Sequence, residues 1–208
     1  MSLHNWWLFL GVVFLLCGTP GPNMLHVLSR AIRFGVRRSV AAMAGCMSAI
    51  ALVLALSAAG LSALLIAMPQ LFDVMRYAGM AYLVWLGIKS WRGSDAPFDV
   101  GAGELPLQLS AAAMFKGGLL IGISNPKLIL FAAAFLPQFI DPALPQGPQF
   151  TILVVTFALV EMFWYGVYAI GGRRLASTLE TPRMRRWFNR FTGAVFVGFG
   201  VALLKVRN

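Results

Sequence analysis

Two charged side chains lie inside strongly apolar stretches of this sequence. Lys127 lies near the middle of the run 111–140, and Glu161 lies near the middle of the run 150–171. An ionisable group at the centre of a bilayer costs about 2.5–3.5 kcal/mol on insertion scales, so each needs an opposite charge, backbone carbonyls or water. Two interpretations stay open: the side chains form a structural ion pair, or they bind a ligand and carry protons. A carboxyl group in a dry site takes up a proton more readily than one in water, which suits Glu161 for proton coupling.

Two breaks interrupt the apolar stretches at corresponding places in the chain. The first reads Gly-Thr-Pro-Gly-Pro-Asn over residues 18–23, and the second reads Gly-Ile-Ser-Asn-Pro-Lys over residues 122–127. Proline has no amide donor and clashes with the preceding helical turn, so nearby carbonyl groups lose their partners. In a membrane such groups must face protein or a water-filled cavity. There, freed carbonyls can hold an ammonium group and freed amides can hold a carboxylate.

The occurrence of two breaks at matching positions helps to decide between a proline kink and a binding site. One break alone is typical of a simple proline kink, which membrane helices tolerate. Two breaks in matching positions, each with an asparagine beside a proline, instead favour a ligand-binding site. The candidate substrate-binding residues are Pro20, Gly21, Pro22, Asn23, Asn125, Pro126 and Lys127.

Three further side chains are candidates because of where they fall in these spans. His26 titrates near physiological pH and is a candidate for proton coupling together with Glu161, although a lone histidine there also fits an interfacial residue. Trp164 and Tyr165 follow Glu161 by three and four residues, so they share or flank its helical face. They either line the cavity or pack between helices.

The composition indicates that membrane helices position these residues. Of the 208 residues, 59% are apolar and 12% are charged, whereas soluble domains usually contain about 25% charged residues. The mean hydropathy is +0.78. These values exclude a disordered chain and argue against a soluble enzyme. They also argue against an outer-membrane barrel, whose short strands alternate apolar and polar residues. Six helical spans are expected, at about 3–28, 39–68, 74–91, 111–140, 150–171 and 188–206.

The expected architecture is an all-α integral membrane protein built from two inverted halves of three helices each. The halves are residues 1–92 and 111–208, and residues 93–110 form a cytoplasmic linker rich in acidic residues and proline. Because each half has an odd number of spans, the halves have opposite orientations, and the first helix of each is broken. Most of the 17 lysines and arginines follow the first, third and fifth spans. Both termini are therefore expected on the periplasmic side of an inner membrane.

Several other classes of protein are disfavoured. The net charge of +10 reflects the basic loops, and no basic platform with interleaved aromatic residues indicates nucleic-acid binding. Cys17 and Cys46 lie inside apolar runs and give no disulfide framework or metal site. The sequence has no nucleotide-binding glycine pattern and no nucleophile–base set, so we expect neither an enzyme nor a cofactor. The expected partners are a small-molecule substrate, protons and the bilayer, and seams of small residues fit either internal packing or a homo-oligomer.

Motifs along nearly the whole chain resemble the LysE/RhtB family of amino-acid exporters. They are the two breaks, the basic segment 31–38, the segment 77–87 and the segment 191–200. The resemblance implies six helices in a bacterial inner membrane. It also implies efflux of amino acids or related small metabolites, driven by the proton-motive force, and it assigns the residues of both breaks to signature motifs of the family.

The second span differs from the family pattern. Many members carry an acidic residue there, whereas residues 45–50 read Gly-Cys-Met-Ser-Ala-Ile. Glu161 then remains as the carboxylate well inside a predicted span. We therefore expect proton antiport by alternating access, with Glu161 as the coupling residue. The alternatives that stay open are export of a cation or another metabolite, an intramembrane enzyme and an accessory subunit.

Overall fold

The computed structural model of this chain is helical throughout the part that it describes. That part comprises residues 1–68, 70, 74, 77, 81, 84–85, 87–92, 108–141 and 143–205. The helices are α1 (Leu3–Gly18), α2 (Pro22–Phe34), α3 (Val36–Ala67), α4 (Ala111–Ile123), α5 (Pro126–Leu130), α6 (Gln146–Glu180) and α7 (Pro182–Lys205). A short helical stretch at 87–91 lies between α3 and α4.

The predicted break in the first span is confirmed. The axes of α1 and α2 differ in direction by 51°. Thr19 and Gly21 between them have extended backbones, and Pro22 begins α2. Proline is tolerated in the first turn of a helix because its missing amide has no intrahelical partner there. The two prolines therefore end one helix and start the next.

The predicted break in the fourth span is confirmed as well. The axis turns by 50° between α4 and the segment Pro126–Phe139. Asn125 caps α5, since its side-chain oxygen accepts a hydrogen bond from the Lys127 amide at 3.0 Å. After α5 the chain continues as a π-helical turn, Phe131–Phe135, and a 3-10 turn, Leu136–Phe139.

Up to four membrane spans can be drawn through the described residues. Val36–Gly60 and Gln146–Gly172 are each long and apolar enough to cross a bilayer, and each bent pair adds one span if it is counted as a unit. The expected sixth span falls on α7. Of the expected third span, residues 75–76, 78–80, 82–83 and 86 lie outside the described residues, and so does the expected linker apart from 108–110. The count of six and the inverted arrangement stay predictions.

The core of the described region joins α1, α2, α3 and α6 to the broken fourth span. Phe9 of α1 packs against the rings of Phe131 and Phe139, with centroids 6.1 and 5.1 Å apart. The Phe131 and Phe157 rings lie 4.6 Å apart and extend this cluster to α6. Aromatic pairs at such distances add packing energy beyond the area that they bury. This cluster fixes the first half of the chain against the second.

Glycines bring α3 and α4 into backbone contact. A Cβ atom at Gly45 would collide with the backbone oxygen of Phe115, and one at Gly118 would collide with that of Ala42. Gly122 is equally crowded by Ala49. Of the two uses expected for small residues, internal packing or a homo-oligomer, Gly118 and Gly122 serve internal packing of α4 against α3. Close approach of small residues is a general way of associating helices within membranes.

Replacing Gly45 with alanine should destabilise the protein, because the backbones of α3 and α4 must move apart. Overpacking of this kind costs about 1–3 kcal/mol. The measurement is the apparent melting temperature in detergent. Gly60→Ala on the same helix is the matched control, because nothing lies within 4 Å of a Cβ there. Equal melting temperatures for G45A and G60A would contradict the close backbone contact between α3 and α4 at Gly45.

Candidate functional site

The two breaks meet through the side chain of Lys127. Its ammonium nitrogen donates hydrogen bonds to the Leu16 carbonyl at 2.7 Å, the Thr19 carbonyl at 3.1 Å and the Thr19 hydroxyl at 3.3 Å. A charge from the second half of the chain is thus held by the broken helix of the first half. The cation also lies at the end of α1, where the helix dipole is negative.

The prolines explain which carbonyls need a donor. In an unbroken helix the carbonyls of Leu16 and Gly18 would accept from residues 20 and 22, and both of those residues are prolines. Leu16 accepts instead from Lys127, from the Thr19 hydroxyl at 2.6 Å and from the Thr19 backbone amide at 3.2 Å. Gly18 accepts from the Tyr168 hydroxyl of α6 at 2.9 Å. Side chains, together with the Thr19 amide, therefore replace the helical bonds that the prolines remove.

Two glycines make room for this arrangement. A Cβ at Gly21 would lie 3.5 Å from Cδ of Lys127, so the lysine stem passes directly over this residue. A Cβ at Gly18 would lie 2.7 Å from the Trp164 ring, too close for a side chain. The Trp164 indole nitrogen also donates to the Phe14 carbonyl at 2.9 Å. Trp164 thus packs against the end of α1 and anchors it to α6.

Glu161 lies beside this junction and is buried, with 4% of its surface exposed. Lys127 is the positive charge that acts on it, and Cys17 and Tyr165 are its polar neighbours. Its Oε2 atom has no hydrogen-bond partner among the described residues. The ammonium of Lys127 bonds to oxygens of Leu16 and Thr19 rather than to this carboxylate. The two charges are therefore neighbours in one site and not a closed hydrogen-bonded pair.

Further polar atoms without partners surround Glu161. The Tyr165 hydroxyl and the Asn23 side-chain oxygen are both buried and have no hydrogen-bond partner in the described part of the chain. The Tyr165 hydroxyl lies against both Glu161 and Asn23, at the edge of hydrogen-bonding geometry. Buried polar groups in folded proteins are normally satisfied, so orphaned ones call for a ligand or water. The cluster offers two oxygen acceptors and one hydroxyl.

The structure brings most of the predicted residues together but separates His26 from the junction. Asn23, Gly21, Lys127 and the region around Glu161 form one site. His26 is buried against α4 instead, where a Cβ at Gly117 would lie 3.2 Å from its ring. The freed carbonyls, which we expected to be open to a ligand ammonium, already accept hydrogen bonds from the protein's own side chains.

Sequence reasoning missed two residues of this site, Thr19 and Tyr168. Thr19 sits inside the first break, and its two oxygen atoms both accept from Lys127. Tyr168 follows Glu161 by seven residues, which is two helical turns, so it lies on the same face of α6. That spacing was the available signal for Tyr168.

Comparison with known proteins identifies the family of this chain. The family model of the LysE type translocator matches residues 13–206. The chain belongs to the LysE type translocator family. The expected resemblance is confirmed, and the matched range includes both breaks, Glu161 and the whole of α2.

The relatives of this translocator include named efflux proteins. It is 32% identical over 208 residues to the homoserine/homoserine lactone efflux protein of Salmonella typhimurium, which covers the full length of both chains. It is 33% identical to the leucine efflux protein of Enterobacter sp. (strain 638), over 96% of this chain and 94% of that one. An uncharacterized membrane protein of Vibrio cholerae is 33% identical over 98% of each chain. No solved structure matches the chain.

Replacing Lys127 with methionine should loosen the junction of the two breaks. K127M removes the three hydrogen bonds to Leu16 and Thr19, and a hydrogen bond to a charged group is worth roughly 1.5–3 kcal/mol. Amide hydrogen exchange over residues 16–24 should accelerate.

Lys116→Met is the matched control for this variant. It removes the same charge from an exposed position on α4, and surface substitutions are usually within about 0.5 kcal/mol. The two variants should differ in exchange only around the first break. Identical exchange there in K127M and K116M would contradict the claim that Lys127 holds the two breaks together.

Proposed function

We propose that this translocator exports amino acids across the bacterial inner membrane in exchange for protons. The observation that carries the proposal is a buried carboxylate with an unpartnered oxygen, Glu161, at the junction of two broken helices. A carboxylate in such a place can bind a proton or an ammonium group. If the two compete for one group, the binding of one releases the other, which is the requirement for exchange.

In the proposed site the substrate lies between the two breaks. Its ammonium faces Oε2 of Glu161 and the side-chain oxygen of Asn23, the two orphaned acceptors. Tyr165 is completely buried beside them, and Trp164 closes the site towards α1. The residues of the two breaks surround the substrate in this proposal; they are Pro20, Gly21, Pro22, Asn23, Asn125, Pro126 and Lys127.

Lys127 has two successive roles in this proposal. In the conformation described here its ammonium holds Leu16 and Thr19, so it ties the second half to the first. When the halves move apart, the ammonium is released and favours the substrate carboxylate. In this proposal the contact forms and breaks as the two halves rock around the site. Such rocking around a midplane site is the alternating access of inverted-repeat transporters.

Glu161 is the proposed proton-coupling residue. The titratable groups that face it from the packed helices are Cys17, Cys46, Lys127, Tyr165 and Tyr168. Lys127 is the one cation among them, so its attachment to α1 or to the substrate changes how strongly Glu161 holds a proton. His26 lies one turn beyond Asn23 on α2 and is the proposed relay away from the site.

The proposed orientation follows from the basic residues. The turn at Gly35 is flanked by Arg33 at the end of α2 and by Arg37 and Arg38 at the start of α3, all exposed. Under the positive-inside rule this turn faces the cytoplasm, and both termini face the periplasm. The α2 end of the site then opens inwards, as an exporter that loads from the cytoplasm requires.

A second candidate function is export of an inorganic cation. The specific observation in its favour is that Glu161 and Asn23 present oxygen acceptors without partners, which are also ligands for hard cations. Competition experiments separate the two functions. Inhibition of transport by metal ions and not by amino acids would favour the cation.

Counterflow in proteoliposomes tests the proposed function. Labelled homoserine and leucine are the first probes, because efflux proteins for both are relatives of this chain. We expect exchange that becomes concentrative when a proton gradient is imposed. Absence of exchange for every amino acid in a panel, with folded protein verified in the vesicles, would overturn the proposal.

Replacing Glu161 with glutamine should abolish gradient-driven transport and leave membrane insertion intact. The amide keeps the shape of the side chain but takes up no proton at physiological pH. The measurement is uphill transport of the substrate at several imposed pH differences. Glu180→Gln, at the end of the same helix, is the control and should retain the wild-type response. Unchanged uphill transport in E161Q would remove Glu161 from the mechanism.

A further inference from the structure

Orphaned polar atoms in the described part of the chain concentrate along one line. Apart from the Thr192 hydroxyl, all of them belong to five residues: Glu161, Tyr165, Asn23, His26 and Arg30. His26 contributes both ring nitrogens, and Arg30 contributes Nε. A membrane protein cannot leave so many polar groups dry without cost, because each unsatisfied group in hydrocarbon costs several kcal/mol. The line therefore marks a place for water or a polar ligand.

The last three of these residues share one face of α2. Asn23, His26 and Arg30 are spaced by three and four residues, the spacing that stacks side chains along a helix. A helix rises about 1.5 Å per residue, so the face extends about 10 Å from the break towards the basic turn. We call this face, with Glu161 and Tyr165 at its inner end, the α2 track.

Helices on either side enclose the α2 track. The His26 ring lies over Gly117 of α4, where a Cβ would come within 3.2 Å of it. Cys46 of α3 interacts electrostatically with Glu161 and Tyr165 at the inner end and with Arg30 at the outer end. Asn23, His26 and Cys46 are all buried. Helices α3 and α4 therefore both border the track between the break and Arg30.

The chemistry of the track changes along its length. Its inner end offers the acceptors of Glu161 and Asn23, which suit a cation. Its outer end offers nitrogen atoms. Arg30 is partly buried, and one of its terminal nitrogens donates a hydrogen bond to the Ser29 hydroxyl at 2.8 Å. Its Nε has no partner among the described residues. The two ends, seven residues or about 10 Å apart along α2, have opposite character, as the two charged groups of a zwitterion do.

We propose that Arg30, with His26 beside it, forms a carboxylate subsite for the exported amino acid. The inference rests on the proposed function and adds the group that selects a free carboxylate. The substrate ammonium faces Glu161 and Asn23, and its carboxylate points along α2 to the ring of His26 and the guanidinium of Arg30. Guanidinium binds carboxylates in paired hydrogen bonds, which gives both affinity and orientation.

Lys127 does not fill this role in the conformation described. Its ammonium already has three oxygen acceptors at the end of α1. Arg30 is the basic side chain of α2 that lies on the track, since Arg33 lies on the exposed surface of the same helix. The substrate carboxylate is therefore received by Arg30 and passes to Lys127 only when the junction opens.

The test compares a free amino acid with its amide as inhibitors of counterflow. The probe is whichever labelled amino acid the wild type exchanges, and the amide of that amino acid lacks the carboxylate charge. We expect the wild type to prefer the free acid. Arg30→Gln should lose roughly tenfold or more in apparent affinity for the acid and change little for the amide, because one charged contact is lost.

Arg33→Gln is the matched control, with the same charge change on the exposed face of α2. It should keep the wild-type ratio of acid to amide affinity within about twofold. If Arg30→Gln does not fold, Arg30→Lys replaces it, because lysine keeps the charge but loses the paired geometry. The ratio should then fall part of the way.

The outcomes separate this inference from the proposed function. Wild-type protein that exchanges no amino acid overturns both. Wild-type protein that exchanges amino acids, with R30Q or R30K showing the same acid-to-amide ratio as R33Q, overturns the carboxylate subsite alone. A general loss of affinity for acid and amide together would also overturn it, since that is the result of a purely structural role.

Discussion

Two backbone carbonyls, those of Leu16 and Gly18, constrain the whole polar interior of this protein. Prolines stand where their helical donors would be, and the middle of a membrane offers no water to replace them. Side chains from distant parts of the chain supply a donor to each carbonyl, and Thr19 supplies further donors to Leu16. Lys127 reaches Leu16 across 111 residues of sequence, and Tyr168 reaches Gly18 across 150. The proline break in the first span thus provides the carbonyl acceptors through which the second half of the chain is joined to the first.

That contact determines the state of the remaining charges. Because the Lys127 ammonium is held by oxygens of α1, Glu161 keeps an oxygen without a partner. The orphaned carboxylate lies at the start of the one buried face of α2 that carries polar atoms as far as Arg30. The acceptors of Glu161 and Asn23 thus lie at one end of this face, and the donors of Arg30 lie at the other. The ammonium and the carboxylate of an amino acid would face these two ends, respectively.

The sequence allowed the breaks to be predicted because proline acts locally, and both bends occur where the prolines stand. It also placed Trp164 and Tyr165 on the face of Glu161, since helical spacing is regular. It did not reveal what Lys127 binds, because an isolated charge in a span only implies some partner. The choice of Leu16 and Thr19 depends on how the halves pack. His26 was grouped with Glu161 from its place in the first span, but the bend in that span directs its ring to Gly117.

The central claim is that an amino acid binds between the two breaks, with its ammonium at Glu161 and its carboxylate along α2. The most direct measurement is a crystal structure of the protein with a selenium-labelled or brominated analogue of a transported amino acid, located by anomalous scattering. The account predicts a single anomalous peak enclosed by α2, α3, α4 and α6, with the analogue's nitrogen beside Glu161 and Asn23. A peak outside this enclosure, or an analogue oriented with its carboxylate towards Glu161, would contradict it.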